Sequence, residues 1–202
     1  APLKPFGGIE QVNWSPDSKT IAYTCQKMVG KAATLSTNSE IYLYDLATGE
    51  STNMTKGMMG FDVAPVYSPD GNWIAFESME REGYESDQNR LFIVNTSTWE
   101  KTYATKGFDQ NVGSLAWSPD SKSIFFTSDW HGAFQVYNYD LEAGAIKQIT
   151  EGLQDYRNVA VAEGKLISAK QTISTPTELF AVNPETGDAE QITFTNKDLL
   201  VQ

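Results

Sequence analysis

The chain has 202 residues, of which 26 are acidic and 15 are basic, so its formal net charge is -11. Nucleic acid binding needs a cationic surface that displaces counterions, and the few scattered basic residues do not supply one. No apolar run reaches the 18 residues typical of a membrane-spanning helix. We therefore expect neither a nucleic acid nor a membrane partner.

A short phrase recurs three times along the chain. It reads WSPD at residues 14–17, YSPD at residues 67–70 and WSPD at residues 117–120, which places the serines 53 and then 50 residues apart. Proline suits the second position of a type I turn and serine the first. An apolar run follows each copy, so the phrase predicts a hairpin turn between two strands.

Two further strands are predicted after each phrase. The third strand is an alternating apolar segment, at residues 41–46, 91–95 and 135–141, and the fourth follows a polar turn, at residues 51–54, 102–105 and 146–150. A weaker fourth copy lacks the Ser-Pro-Asp phrase and begins near residue 158, with Glu163 and Gly164 at its first turn. Four strands per period of about 50 residues match the blade of a β-propeller.

The sequence therefore predicts an all-β fold, a β-propeller of four-stranded antiparallel blades. We expect the blades at about residues 12–56, 64–106, 114–151 and 158–193, so that residues 1–202 form a partial propeller. The segments at residues 1–10 and 196–202 fit no strand and resemble the cut ends of a longer chain. An isolated partial propeller is expected to expose apolar flanks, including Trp14 and Phe180, and to self-associate.

Catalytic and metal-binding residue types are scarce. His131 is the only histidine and Cys25 the only cysteine, so neither a complete serine-hydrolase triad nor a zinc site of several His or Cys ligands is expected. No phosphate-binding glycine-rich loop or calcium loop occurs, and we expect no metal and no cofactor. The pattern favours a polar turn residue for His131 and a buried core position for Cys25.

Strand direction separates two ends of each blade. The Ser-Pro-Asp turns and the third-to-fourth turns share one end, while the second-to-third connections lie at the other. Long connections are predicted at this second end, at residues 26–39, 79–89 and 129–132. Binding residues concentrate on long loops of rigid scaffolds, so this rim is the first candidate for recognition.

The densest charge cluster lies in residues 79–90, called here the acidic loop. It carries Glu80, Glu82, Glu85 and Asp87, with Arg81 and Arg90 available to hold carboxylates through paired hydrogen bonds. One interpretation is a site for a cationic group, with Tyr84 packing on the bound ligand. The alternative is a solvated loop whose internal ion pairs contribute little.

The repeated phrase resembles the WD40-like propeller repeats of prolyl oligopeptidase family serine peptidases and of TolB-type proteins. The acidic loop looks like the Met-x-Arg-x-Gly-aromatic-Glu-x-Asp stretch of bacterial dipeptidyl aminopeptidase and acylaminoacyl peptidase relatives. Residues 190–196 resemble the segment that leaves the last blade of those enzymes for their hydrolase domain.

The resemblance implies a propeller that caps an α/β-hydrolase domain and admits short peptides. It also implies that Glu80, Arg81, Glu85 and Asp87 recognise the free amino terminus of a substrate, and Tyr84 joins them as a packing candidate. The hydrolase domain is not in this sequence, and the family has about seven or eight blades. We therefore expect a noncatalytic propeller segment whose partners are short peptides and its own hydrolase domain.

Two other functions stay open at this stage. One is a TolB-like scaffold for protein–protein interaction that is followed by no hydrolase. The other is a closed four-bladed propeller with a ligand in its central channel.

Overall fold

The computed structural model describes residues 11–197. The chain divides into two compact units, with the boundary between Asp109 and Gln110. Each unit holds two antiparallel four-stranded sheets, and in every sheet the strands are hydrogen-bonded in chain order. The all-β prediction is confirmed, since sixteen strands in four antiparallel sheets make up nearly all of the described regular structure and helix accounts for 4%.

The first unit contains eight strands and the short helix. Its first sheet consists of β1 (Val12–Trp14), β2 (Thr20–Cys25), β3 (Glu40–Asp45) and β4 (Ser51–Asn53), with α1 (Lys31–Leu35) between β2 and β3. Its second sheet consists of β5 (Asp62–Tyr67), β6 (Trp73–Ser78), β7 (Arg90–Asn95) and β8 (Lys101–Tyr103). Apolar side chains from both sheets form its core: Ala22, Ile41, Leu43, Met54, Ile74, Phe76 and Val94.

The second unit repeats the arrangement. Its first sheet consists of β9 (Gly113–Trp117), β10 (Ser123–Trp130), β11 (Ala133–Asp140) and β12 (Ala145–Gln148). Its second sheet consists of β13 (Asp155–Ala162), β14 (Lys165–Gln171), β15 (Glu178–Val182) and β16 (Ala189–Gln191). The core comes from both sheets: Phe125, Val136, Ile149, Tyr156, Val159, Leu166 and Val182.

The Ser-Pro-Asp phrase forms the predicted hairpin turn and is locked by its own side chains. In the first copy the Ser15 hydroxyl donates to Asp17 Oδ1 at 2.7 Å and accepts from the Thr20 amide at 2.9 Å. The Ser18 amide closes the turn onto the Ser15 carbonyl at 2.9 Å. The serines of the other two copies bond their aspartates in the same way, at 2.6 Å. Serine therefore specifies this turn by binding the aspartate two residues on.

Two positions differ from the sequence-based expectation. Cys25 ends β2 and is half-buried instead of buried in the core. The expected long connection at residues 129–132 is a two-residue turn, because β10 continues to Trp130 and β11 begins at Ala133. His131 and Gly132 form this turn with φ values of 51° and 81°, the left-handed pair that a tight hairpin requires.

The flank residues differ from each other. Trp14 is 53% exposed on β1, as expected of an open flank. Phe180 is half-buried because it packs against the core of the second unit. Self-association of the isolated chain stays a prediction, which light scattering tests directly.

Candidate functional site

The loop end of the first unit brings two long connections together. Residues 26–39, which include α1, join β2 to β3, and the acidic loop joins β6 to β7. The Gly83 amide of the acidic loop donates to Thr37 Oγ1 at 2.8 Å. This bond ties the tip of one connection to the other, so the acidic loop has a defined support.

A close backbone approach fixes the start of the acidic loop. The Met79 amide donates to the Phe61 carbonyl at 3.1 Å, and Gly60 lies directly beside this crossing. A Cβ atom built on Gly60 would lie 2.1 Å from the Met79 carbonyl oxygen, well inside van der Waals contact. Only glycine fits there without a backbone shift.

Arg81 and Asp87 close the acidic loop on itself. The Arg81 guanidinium donates to both carboxylate oxygens, with Nε at 3.1 Å from each and a short contact from the terminal nitrogen to Oδ1. The Arg81 amide adds a bond to Oδ2 at 2.9 Å. These donors hold the pKa of Asp87 below its ordinary value, chiefly through the guanidinium. The Asp87 side chain is only 7% exposed, so it is a structural member of the loop.

A second ion pair anchors the base of the loop. Arg90, at the start of β7, lies 3.4 Å from Glu80 Oε2 and donates through Nε to the Ser78 carbonyl at 3.1 Å. The two arginines therefore hold carboxylates as the sequence indicates. Glu80 is thereby part of the loop's support, although its side chain is largely exposed.

Tyr84 and Glu85 occupy the outer face of the loop. The Arg81 guanidinium carbon lies 4.0 Å from the centre of the Tyr84 ring, which is 53% exposed. Glu85 is exposed and forms no hydrogen bond or ion pair within residues 11–197, and the same is true of Glu82. Of the five predicted site residues, Arg81, Asp87 and Glu80 build the loop, while Tyr84 and Glu85 present groups to solvent.

A buried carboxylate below the acidic loop was not anticipated from the sequence. Asp62, the first residue of β5, is 0% exposed and pairs in register with Ser78. Burial raises its pKa to about 6, although the hydroxyls of Ser78 and Thr55 and the charge of Arg90 oppose the rise. Neither carboxylate oxygen has a hydrogen bond of good geometry. A single aspartate before an apolar strand carries no sequence signal for such burial.

His131, the remaining candidate for chemistry in this chain, is exposed in the β10–β11 turn and packs edge-on against Trp130, with ring centres 4.4 Å apart. Across residues 11–197, no three His, Cys, Asp or Glu side chains are grouped to hold a metal ion. Over the same range, no helix has the length and apolar character needed to cross a membrane.

Four repeats of a four-stranded antiparallel sheet, each opened by a turn between its first two strands, define a β-propeller segment. The chain belongs to the PD40 family of TolB-type β-propeller domains, whose sequence model matches residues 10–199. This assignment confirms the resemblance of the repeated Ser-Pro-Asp phrase to TolB-type propeller repeats.

Curated relatives are peptidases by name. The chain is 43% identical over 200 residues to dipeptidyl-peptidase 5 of Porphyromonas gingivalis, a match that covers 99% of this chain and 29% of that protein. It is 26% identical over 210 residues to dipeptidyl-peptidase 5 of Aspergillus fumigatus, covering 98% of this chain and 29% of that protein. The chain thus spans less than a third of the length of these relatives.

Solved structures share the fold. TolB from Acinetobacter baumannii superposes with a TM-score of 0.66 at 26% identity, covering 91% of this chain and 43% of that one. Acylaminoacyl peptidase from Pyrococcus horikoshii gives a TM-score of 0.73 at 19% identity, covering 95% of this chain and 28% of that one. At 19% identity, the second match supports the fold alone.

Proposed function

We propose that this chain is the propeller segment of a serine exopeptidase of the dipeptidyl-peptidase type. In this role it admits short peptides and positions them for an α/β-hydrolase domain that lies outside the sequence. The identity of 43% to dipeptidyl-peptidase 5 over 99% of the chain supports the class. His131, the only histidine of the chain, is exposed in the β10–β11 turn, so the proposal takes the catalytic base from the hydrolase domain of the parent protein.

The proposed contact is between the acidic loop and the free amino terminus of a peptide. A protonated amine donates to the carboxylate of Glu85, while the exposed Tyr84 ring packs against the first side chain or the backbone of the peptide. Arg81, Asp87 and Glu80 act as positioning residues, because they are engaged in the ion pairs that shape the loop.

The observation that carries this proposal is that the carboxylates of one short loop differ in whether they form ion pairs. Two carboxylates are neutralised by Arg81 and Arg90, whereas Glu85 is exposed and unpaired within the described residues. An internal ion-pair network accounts for Asp87 and Glu80 but not for Glu85 or Glu82, which is equally exposed and unpaired in the described region. The resemblance of the loop to the peptidase stretch singles out Glu85, and a cationic ligand gives this carboxylate a role.

The test uses the full-length protein and a fluorogenic dipeptide substrate with a free amino terminus. Glu85→Gln is expected to lower kcat/KM by about tenfold to a hundredfold, since one charge-assisted hydrogen bond contributes roughly 1.5 to 3 kcal/mol. An acetylated version of the substrate should be hydrolysed poorly and equally by both proteins. Equal kcat/KM for the free-amine substrate would remove the recognition role.

Glu82→Gln is the matched control. Glu82 belongs to the same loop, is exposed and is likewise unpaired in the described region, but the proposal gives it no contact with the peptide. A loss confined to Glu85→Gln indicates a specific contact. Equal losses in both variants would indicate only the general negative field of the loop.

A TolB-like interaction scaffold is the second candidate function. It is favoured by the family assignment and by the superposition on TolB at 26% identity. Two assays of the purified full-length protein separate the candidates. Hydrolysis of dipeptidyl substrates together with labelling by a fluorophosphonate identifies a serine peptidase. A protein that shows neither supports the scaffold.

A further inference from the structure

One turn of the first unit breaks the pattern of the other three repeats. The third-to-fourth-strand turn places a left-handed residue at Gly49, Gly144 and Gly187, with φ values of 74°, 61° and 77°. In the second sheet the corresponding residue is Trp99, with φ of 59°. All four positions donate their amide to the carbonyl four residues earlier, at 2.8 to 2.9 Å, so the turns are equivalent. A bulky residue thus stands where glycine is the unstrained choice.

Trp99 forms one wall of a groove at the end of the first unit that carries the Ser-Pro-Asp turns. The groove has a volume of about 600 Å³, and the Trp99 side chain is 50% exposed. Its other apolar lining residues are Pro16, Leu43 and Tyr67. We call this cavity the Trp99 groove. Its size falls within the range of sites that hold a small ligand or a few peptide residues.

Carboxylates line the same groove. Asp17, Asp45 and Asp70 are lining residues, and no lysine, arginine or histidine is among them. Hydrogen bonds from turn groups lower the pKa of Asp17 and of Asp45, so both are ionised at neutral pH. The nearest paired cation is Lys19, which lies 3.4 Å from Asp17 Oδ2 and is itself largely exposed. An aromatic wall with anionic neighbours is complementary to a cation that carries an apolar stem.

We propose that the Trp99 groove binds an extended basic peptide segment of a protein partner. A lysine or arginine side chain lies over the Trp99 indole and donates to a groove carboxylate, while its neighbouring apolar residue packs on Tyr67 and Pro16. The site is independent of the acidic loop, because each lies at a different end of the strands of the first unit.

The probe is the blocked peptide acetyl-Gly-Lys-Leu-Lys-Gly-amide, titrated into the full-length protein by calorimetry at low ionic strength. Blocking both ends removes the α-amine that the acidic loop is proposed to bind. The lysine side chains keep their charge, so Glu85→Gln is titrated in parallel and should bind the lysine peptide as tightly as the wild type. The peptide with glutamate in place of lysine is expected not to bind. Binding of the lysine peptide should weaken as salt is added, because the contact is partly ionic.

Trp99→Gly is the informative variant. It is expected to weaken binding of the lysine peptide about tenfold by removing the cation–π wall. The change removes the half-buried indole as well as the left-handed strain, so it is compared with Trp99→Ala, which removes the same ring and keeps the strain. Both variants should lose affinity equally, and Trp99→Gly should be the more stable of the two by about 1 kcal/mol.

Asp45→Asn tests the charge without disturbing the turn. Asp45 Oδ1 accepts from the amides of Ala47 and Thr48, and asparagine already makes the equivalent bonds at Asn95 and Asn183. The variant should weaken binding about threefold to fivefold. Glu142→Gln removes one exposed charge from the corresponding turn of the second unit and should leave binding unchanged.

Three results would overturn the proposal. They are the absence of lysine-peptide binding up to about 1 mM, equal affinity of the wild type and Trp99→Gly, and equal losses in Asp45→Asn and Glu142→Gln. Failure here leaves the peptidase proposal intact, because that proposal is measured by hydrolysis of free-amine substrates.

Discussion

The Arg81 guanidinium donates hydrogen bonds to both carboxylate oxygens of Asp87, and the Arg81 backbone amide donates a further one to Oδ2. The two residues are six positions apart, so the pair closes the segment between them into a ring of fixed size. Gly83, Tyr84 and Glu85 lie inside that ring. The geometry of the recognition candidates therefore depends on this one ion pair more than on the strands beside it.

Asp87→Ala is expected to open the acidic loop without unfolding the sheet. The Arg81 amide loses its acceptor, so its hydrogen exchange should accelerate while amides in β6 and β7 keep their protection. Exchange measured by mass spectrometry with overlapping peptides resolves the two regions. Glu82→Ala, which removes an unpaired carboxylate of the same loop, serves as the control, and unchanged exchange at Arg81 in Asp87→Ala would contradict the clamp.

The same pair predicts how acid affects the loop. The pKa of Asp87 is lowered in the folded protein, so its contribution is present above the ordinary aspartate value of 3.8 and is lost as the pH falls through the lowered value. Protection of the Arg81 amide should therefore persist at about pH 4 and disappear only in stronger acid. Loss of protection already near pH 6 would point to a different titrating group.

Asp62 should give the opposite pH dependence. Its pKa is raised by burial to about 6, so its ionised form destabilises the fold and stability falls as the pH rises from about 4 through 6. Asp62→Asn removes this dependence. Relative to the wild type, the variant should gain about 2 kcal/mol of unfolding free energy between pH 4 and pH 7.5, measured by urea denaturation. A constant difference across that range would show that Asp62 has no raised pKa.

The left-handed position of the Ser-Pro-Asp turn offers a test of turn strain. Ser18 has φ of 58° there, whereas the second copy has Gly71 with φ of 75°. Ser18→Gly should stabilise the first unit by about 1 kcal/mol, and Gly71→Ser should destabilise it by a similar amount. Ala47→Gly, at a turn position outside the left-handed region, should be mildly destabilising. Thermal unfolding of the variants checks all three, and a stabilising Gly71→Ser would refute the argument.

The regular part of the fold could be predicted because its signals are local. The Ser-Pro-Asp turn depends on residues within five positions of one another, as the Ser15 bonds to Asp17 and Thr20 show. The ion pairs of the acidic loop were expected for the same reason, since Arg81 and Asp87 are near neighbours in sequence.

The features that escaped prediction depend on distant parts of the chain. Asp62 is buried because the first sheet of its unit covers the start of β5, where Ser39 Oγ donates to the Asp62 carbonyl at 3.0 Å. The sequence predicts an ordinary turn residue at Trp99. Its strain is evident only from its φ, which matches those of the corresponding glycines in the other repeats. The extent of β10 and β11 depends on eight cross-strand pairs and not on the composition of residues 129–132.

One threonine recurs after the fourth strand of every repeat and predicts where the sheets are most sensitive to substitution. Its hydroxyl oxygen accepts a hydrogen bond from a backbone amide of the third strand. The donor and acceptor pairs, at 2.9 to 3.0 Å, are Ile41–Thr55, Leu91–Thr105, Val136–Thr150 and Leu179–Thr193. Thr105 and Leu91 are fully buried, so the amide has no access to water when the hydroxyl is removed.

Thr105→Val should therefore cost about 1 to 3 kcal/mol of unfolding free energy, because it keeps the shape of the side chain and leaves a buried donor unsatisfied. Thr105→Ser retains the acceptor and should lose less. Thr193→Val removes the equivalent bond to the exposed Leu179 amide, where water replaces the hydroxyl. Because Thr193 also donates to the Glu178 carboxylate, the change is measured in a Glu178→Ala background, where it should cost less than Thr105→Val. Chemical denaturation of the three variants measures the order. Equal losses at Thr105 and Thr193 would show that burial of the bond does not determine its contribution.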